Sequence, residues 1–132
     1  MGEQAFRGAI LVVEDHQETR YALRDILSDE GYAVAVAADG AAALKWLHEH
    51  SPPCLILLDM MMPVMDGREF LIARHLEPTL ASVPVVAFSA GSHRDPRVSE
   101  GLEGVLAFLH KPLDLDDLFA LVEKICGRPP SC

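Results

Sequence analysis

Short apolar runs alternate with helical patterns along the whole chain. Five runs are apolar at every position: Ala9–Val13, Ala33–Ala37, Cys54–Leu58, Val85–Phe88 and Val105–Leu109. Runs without polar alternation are typical of strands that are buried on both faces of a parallel sheet. The alternation therefore predicts a doubly wound α/β domain, with a five-stranded parallel sheet between two layers made by five helices.

Polar caps and breakers delimit the predicted helices. A helix over Tyr21–Glu30 stops at Gly31, and Asp39 and Asp114 are placed to cap the second and the last helix. The predicted fourth helix, His93–Gly104, contains a proline and glycines and is therefore the weakest. The last helix is the best formed, because its apolar residues recur at helical spacing: Leu115, Leu118, Phe119, Val122 and Ile125.

Length and charge limit the classes of function. The 132 residues are half apolar, which suits one domain, and we divide the chain into an extension (1–8), a domain (9–126) and a flexible tail (127–132). The net charge of −9 would repel nucleic-acid phosphates, so we expect no direct DNA binding. No apolar run approaches the roughly 18 residues of a membrane span.

The cysteines show no metal-binding spacing. There are three, Cys54, Cys126 and Cys132, and an odd number without a disulfide framework is typical of a reducing cytoplasm. We expect Cys54, at the start of an apolar run, to be a small core residue.

Four of the five runs end in polar groups that are capable of chemistry: Glu14 and Asp15, Asp59, Ser89 and Lys111. The carboxyl ends of parallel strands share one edge of an open sheet, and sites form at that edge. We therefore expect these side chains to converge on one cleft.

The residues of this cleft suit the transfer of a phosphoryl group. Three crowded carboxylates require a counter-cation, and hard carboxylate oxygens favour Mg²⁺. Lys111 adds a positive charge suited to a phosphate, and Ser89 adds a hydroxyl donor. Asp59, at the end of the third strand, is the carboxylate best placed as nucleophile.

Four stretches of the sequence resemble the response-regulator receiver domain of two-component signalling. The resemblance covers Gly8 to Cys126, with the motifs in the family's order, and it implies a flavodoxin-like sandwich with strand order 2-1-3-4-5. The stretches are Leu11-Val12-Val13-Glu14-Asp15, Leu58-Asp59-Met60-Met61-Met62-Pro63-Val64-Met65-Asp66-Gly67, Ser89-Ala90 and Lys111-Pro112.

The resemblance implies a role for each acidic residue. Asp59 would be the phosphoacceptor and form an acyl phosphate. Glu14, Asp15 and Asp59 would hold Mg²⁺, with the backbone carbonyl of Met61 as a further ligand.

The resemblance also implies a switch. Lys111 would pair with the phosphoryl oxygens, and Ser89 would donate a hydrogen bond to the new phosphate. Phe108 would change its rotamer together with Ser89, and the bond before Pro112 would be cis, although most X-Pro bonds are trans.

By the same resemblance, the protein would be a cytoplasmic signalling module rather than an enzyme. It would accept phosphate from a sensor histidine kinase or a histidine phosphotransfer protein. Phosphate would shift a conformational equilibrium on the face made by the fourth helix, the fifth strand and the last helix. That face would bind a downstream protein target, and the family often forms homodimers through it. The domain would be free-standing or part of a hybrid kinase.

Two other classes remain open. A small Mg²⁺-dependent phosphotransferase or phosphatase would also form an aspartyl phosphate, but haloacid-dehalogenase-like enzymes carry a second Asp where this chain has Met61. A flavodoxin-like electron carrier would need a phosphate loop after the first strand, where Glu14 and Asp15 would repel a flavin phosphate.

Overall fold

A single five-stranded parallel sheet forms the centre of the computed structural model, which describes residues 9–89 and 105–128. The strand order is β2-β1-β3-β4-β5, as the resemblance implied. The strands are β1 (Ile10–Val13), β2 (Val34–Ala37), β3 (Leu55–Asp59), β4 (Val85–Ser89) and β5 (Val105–His110).

The burial of each strand follows its place in the sheet. Every residue of β1, β3 and β4 is buried, whereas β2 and β5, at the two sides of the sheet, are largely half-buried. Central strands are covered by helices on both faces, which explains why their sequences are apolar at every position.

The helices cover the sheet in two layers. The helices in the described part of the chain are α1 (Gln17–Asp29), α2 (Gly40–Glu49), α3 (Gly67–His75), α4 (Pro78–Ala81) and α5 (Leu115–Cys126). On one face, α1 and α5 contribute Leu23, Leu27, Leu118 and Val122 to a buried cluster. On the other face, α2 and α3 contribute Ala43, Leu47, Phe70 and Leu71.

Three predicted helix boundaries are confirmed by their hydrogen bonds and backbone angles. The side chain of Asp39 accepts from the Ala42 N–H at 2.8 Å, and that of Asp114 accepts from the Asp117 N–H at 3.1 Å. Gly31, just beyond α1, has a φ of 104°, a conformation that glycine adopts without strain.

Other helix predictions need correction. Helix α1 begins at Gln17 rather than Tyr21, because its exposed first turn is polar and leaves no apolar period in the sequence. The short helix α4 was not predicted, because four residues are too few to show an apolar period. The predicted fourth helix, 93–104, lies outside the described residues.

The expectation about the cysteines is wrong. Cys54 and Cys126 form a disulfide, with their Cα atoms 5.4 Å apart. Helix α5 runs back across the sheet, so its last residue meets the chain just before β3 at the edge where the strands begin, which we call the amino edge. The Tyr32 hydroxyl donates to the Gly127 carbonyl at 2.9 Å and ties the same helix end to the domain. The cysteine content therefore carries no inference about a reducing compartment.

None of the helices in the described ranges has both the length and the apolar character needed to cross a membrane.

Candidate functional site

The predicted site residues lie at the opposite edge of the sheet, where the strands end, which we call the carboxyl edge. The register aligns Val13 with Leu58, so the residues that follow them, Glu14 and Asp59, are neighbours. Asp59 is also aligned with Phe88 on β4, the residue before Ser89. The parallel register thus brings together residues that are far apart in the sequence.

Three carboxylates form a cluster at this edge. Ligand oxygens of Glu14, Asp15 and Asp59 all lie within 4.8 Å of one another. Glu14 is fully buried and Asp59 is only 2% exposed, whereas Asp15 is exposed. The cluster therefore has a buried floor and opens to solvent on the side of Asp15.

Lys111 places one positive charge against this cluster. Its Nζ donates to Glu14 Oε1 at 3.0 Å and lies 3.6 Å from Asp59 Oδ2. Its backbone N–H donates to the Ser89 carbonyl at 2.8 Å, and its ammonium lies 5.3 Å from the centre of the Phe88 ring. Contacts to β4, to Asp59 on β3 and to Glu14 directly after β1 thus hold the lysine over the carboxylates.

The pKa of Asp59 reflects this crowding. Burial and the adjacent Glu14 together raise the pKa of this carboxyl to about 7, although the N–H of Met61, 3.0 Å from Oδ1, and the charge of Lys111 act in the opposite direction. The carboxyl group therefore resists ionisation at the centre of the site.

Glu14 and Lys111 favour their charged forms. Burial tends to raise the pKa of Glu14, but hydrogen bonds from the His16 N–H, at 3.0 Å, from the Asp59 carboxyl and from Lys111 outweigh it, so the pKa is lowered. Burial tends to lower the pKa of Lys111, but its bonds to the two buried carboxylates outweigh it, so the pKa is raised. The ion pair of Glu14 and Lys111 leaves Asp59 and Asp15 without a full counter-charge.

The donor set fits a divalent cation. Hard carboxylate oxygens at this spacing suit Mg²⁺, and a dication would supply the positive charge that Lys111 alone does not. Met61 contributes its backbone N–H, which donates to Asp59. The Met61 side chain is 53% exposed and has no acidic or basic group, unlike the second Asp that haloacid-dehalogenase-like enzymes carry at this position.

The remaining predicted residues lie around this cluster. Ser89 is fully buried at the end of β4. Phe108 on β5 is half-buried, and its ring meets that of His110 edge-on at 5.2 Å. The bond between Lys111 and Pro112 is cis.

Sequence reasoning missed the structural role of Gly67. A Cβ at this position would lie 2.6 Å from the Met60 Cα and 2.9 Å from the Asp59 carbonyl oxygen. The N–H of Gly67 donates to the Met60 carbonyl at 3.3 Å, and Asp66 and Glu69 form a capping box at the start of α3. Glycine therefore lets α3 begin directly against the end of β3, and the Asp66-Gly67 pair was the signal.

Sequence reasoning also gave no role to Arg20. Its Nη1 donates to the carbonyls of Glu14 and Asp15, at 3.0 and 3.2 Å. The contact depends on a side chain that reaches back from the first turns of α1, which no sequence period reveals.

The family model described as "Response regulator receiver domain" matches residues 10–123. The chain belongs to the response-regulator receiver family. This receiver domain is 40% identical over 123 residues to an uncharacterized 14.6 kDa protein of Leptolyngbya boryana, with 92% of each chain covered. It is 34% identical to the response regulator Rre1 of a Synechocystis strain over 91% of its own length, but it spans only about half (52%) of that relative.

A crystal structure of a response regulator receiver protein from Pseudomonas putida has the same fold. The TM-score is 0.83 at 28% identity, covering 92% of this chain and 99% of that one. Receiver domains accept phosphoryl groups in two-component signalling, and the acidic cluster at the carboxyl edge fits the Mg²⁺ that such domains bind.

Proposed function

We propose that this receiver domain accepts a phosphoryl group on Asp59 from a phosphohistidine of a sensor histidine kinase or a histidine phosphotransfer protein. The observation that carries the proposal is the arrangement around Asp59. The carboxylate of Asp59 is almost fully buried, and its Oδ2 lies 3.6 Å from Lys111 Nζ. Its ligand oxygen and those of Glu14 and Asp15 lie within 4.8 Å of one another.

The proposed step exchanges one phosphorus bond for another. A carboxylate oxygen of Asp59 attacks the phosphorus, and the bond between the phosphorus and the imidazole nitrogen of the donor breaks. The nitrogen keeps the electron pair and takes up a proton, and Asp59 becomes an acyl phosphate. Such a reaction depends on positioning and on neutralising charge.

Glu14, Asp15 and Asp59, with the carbonyl of Met61, would hold Mg²⁺. When bound, this ion neutralises negative charge on the carboxylates and on the incoming phosphoryl oxygens. The added positive charge would favour the ionised form of Asp59, whose pKa is raised in the metal-free protein, so its carboxylate would be available as nucleophile at neutral pH.

The new phosphate would be bound by Lys111 and Ser89, and Phe108 would respond to it. Lys111 would exchange its bond to Glu14 for one to a phosphoryl oxygen, and the Ser89 hydroxyl would donate to another. Phe108 is half-buried beside these strands and would follow Ser89 inward. Phosphate thus binds one conformer better and shifts the population towards it.

Two surfaces would serve partners. A groove lined by His16, Thr19, Lys111, Pro112 and Leu113 opens beside the site and would admit the phosphodonor. The output face would combine segment 93–104, which lies outside the described residues, with β5 and α5, where Leu106 is 54% exposed. It would bind a downstream protein target or a second copy of the chain, and we place the domain in the cytoplasm with its kinase.

Labelling with acetyl phosphate, a small acyl-phosphate donor, tests the acceptor. With Mg²⁺ present, we expect intact-mass spectrometry to show one added phosphoryl group, and we expect it to disappear with EDTA or in Asp59→Asn. Asp29→Asn, an exposed carboxylate at the end of α1, is the matched control and should label like the wild type. Labelling that survives in Asp59→Asn would refute the assignment.

The fate of the phosphate separates a signalling domain from an enzyme. A receiver should take up one phosphoryl group per chain and release it slowly, whereas a phosphatase would release phosphate in many turnovers. Lys111→Ala should still bind Mg²⁺ but lose the conformational change that phosphate drives, which can be followed by amide hydrogen exchange in β5 and α5.

A further inference from the structure

We infer that Arg20 is a positioning residue that fixes the two proposed cation-binding residues directly after β1, Glu14 and Asp15, and thereby raises the affinity of the site for Mg²⁺. The inference rests on the proposed Mg²⁺ site. It assigns a role to a side chain that is not among the proposed ligands of the cation.

The guanidinium of Arg20 joins α1 to the residues that follow β1. One nitrogen, Nη1, donates to the carbonyls of both Glu14 and Asp15, at 3.0 and 3.2 Å. Two consecutive carbonyls on one donor fix the peptide plane between Glu14 and Asp15. That plane sets the direction from which the exposed Asp15 carboxylate reaches the cluster.

Other residues hold the guanidinium in place. It lies 4.9 Å from the centre of the Tyr21 ring, and the guanidinium of Arg24 lies 4.4 Å from the same centre. Arg24 Nε is 3.0 Å from Asp25 Oδ1. The Tyr21 ring limits the conformations of the Arg20 side chain through this cation–π contact. The Arg20 side chain therefore loses little conformational entropy when it binds the carbonyls of Glu14 and Asp15.

A positioning role and a purely electrostatic role of Arg20 predict opposite effects of its removal on Mg²⁺ affinity. A positive charge beside a cation site repels the cation, so by charge alone the removal of Arg20 would tighten Mg²⁺ binding. If Arg20 instead orients Asp15, its removal leaves the carboxylate with more freedom and weakens binding. Loss of a group that orients a ligand typically reduces metal affinity by about ten- to a hundredfold.

Calorimetric titration of the metal-free protein with Mg²⁺ tests the inference, with circular dichroism to verify folding. We expect Arg20→Met to raise the Mg²⁺ dissociation constant by about tenfold or more. Arg24→Met, which removes a guanidinium from the same ring without touching the loop, is the matched control and should bind like the wild type. Tyr21→Leu keeps Arg20 but removes the ring, and should weaken binding by less than Arg20→Met.

A second measurement covers the case in which Arg20→Met folds poorly. In the metal-free wild type the amides of Asp15 and His16 should exchange more slowly than in Tyr21→Leu, while the amides of β1 are unchanged. Unchanged or tighter Mg²⁺ binding by folded Arg20→Met would overturn the inference alone. Absence of Mg²⁺ binding by the wild type would overturn the proposed cation site and this inference with it.

Discussion

At the amino edge of the sheet, a disulfide joins Cys54 to Cys126 and the Tyr32 hydroxyl donates to the Gly127 carbonyl. At the carboxyl edge, two buried carboxylates share one lysine, and the pKa of one of them is raised to about 7. The first edge is closed by a covalent bond that has no dependence on ions. The second edge contains more negative charge than its protein groups compensate.

The difference indicates where stability and function are separated in this fold. Groups that bind ions and phosphate must keep some charge uncompensated in the empty protein, and this costs stability. The amino edge binds no ion or phosphate in this proposal, so it can contain the disulfide that stabilises the fold. The two edges should therefore respond differently to substitution, pH and Mg²⁺.

The largest expected effect is at the amino edge. The disulfide closes a loop with a sequence separation of 72 residues, and Cys54→Ser should lower the free energy of unfolding by about 4 kcal/mol through the entropy of the unfolded chain. Urea denaturation of the oxidised protein measures the loss.

Mg²⁺ affinity, which belongs to the other edge, should be unchanged in this variant. A reductant should remove most of the difference from the wild type. Equal stability of oxidised wild type and Cys54→Ser would refute a stabilising role for the bond.

The next effect is a pH dependence at the carboxyl edge of the metal-free protein. The folded state binds the proton of Asp59 more tightly than an unfolded chain, where the pKa is near 3.8. The protonated form therefore contributes stability below about pH 4, and this contribution is lost as the pH rises through about 7. Asp59→Asn cannot ionise, so its advantage over the wild type should grow to on the order of 4 kcal/mol above pH 7.

Urea denaturation in EDTA from pH 4 to pH 8 measures this difference between the two proteins. Added Mg²⁺ should stabilise the wild type and shrink the difference, because the ion compensates the ionised carboxylate. A difference that stays constant with pH would contradict the raised pKa.

A smaller effect is expected where α3 meets the end of β3. Gly67→Ala would put a methyl carbon 2.6 Å from the Met60 Cα, so the backbone after Asp59 must move. We expect a loss of about 2 kcal/mol in stability together with weaker Mg²⁺ binding. Gly31→Ala, at the amino-edge end of α1, should also lose stability because of its positive φ, but should bind Mg²⁺ normally. Equal Mg²⁺ affinities for both variants would argue against a link between Gly67 and the site.

The smallest effect is a gain. Val64 has a φ of 68° and is 80% exposed, so this β-branched residue is strained without contributing packing. Val64→Asn should stabilise the protein by about 1 kcal/mol, since asparagine tolerates this conformation. Thermal unfolding measures the gain, and Val64→Ile should show none. A lower melting temperature for Val64→Asn would show that the strain has no energetic weight.

The sequence was sufficient for the buried parallel strands and for the convergence of Glu14, Asp59 and Lys111, because burial and the parallel sheet act by general rules, whereas the strand order came from the family resemblance. The same geometry applies to the amino edge, where strands begin and helices end. Cys54 is the residue before β3 and Cys126 is the last residue of α5, so the same rule of parallel sheets predicts that the two cysteines are neighbours. The contacts of Arg20 and the close approach at Gly67 depend on side-chain direction and on differences in distance of a few tenths of an ångström, which apolar spacing does not encode.

The bond between Cys54 and Cys126 makes a closed covalent circle of the chain between them. Asp59, Ser89 and Lys111 all lie on that circle. A protease that cut the backbone once at any point of it would leave two pieces joined by the disulfide under oxidising conditions, and they would separate only after reduction and unfolding.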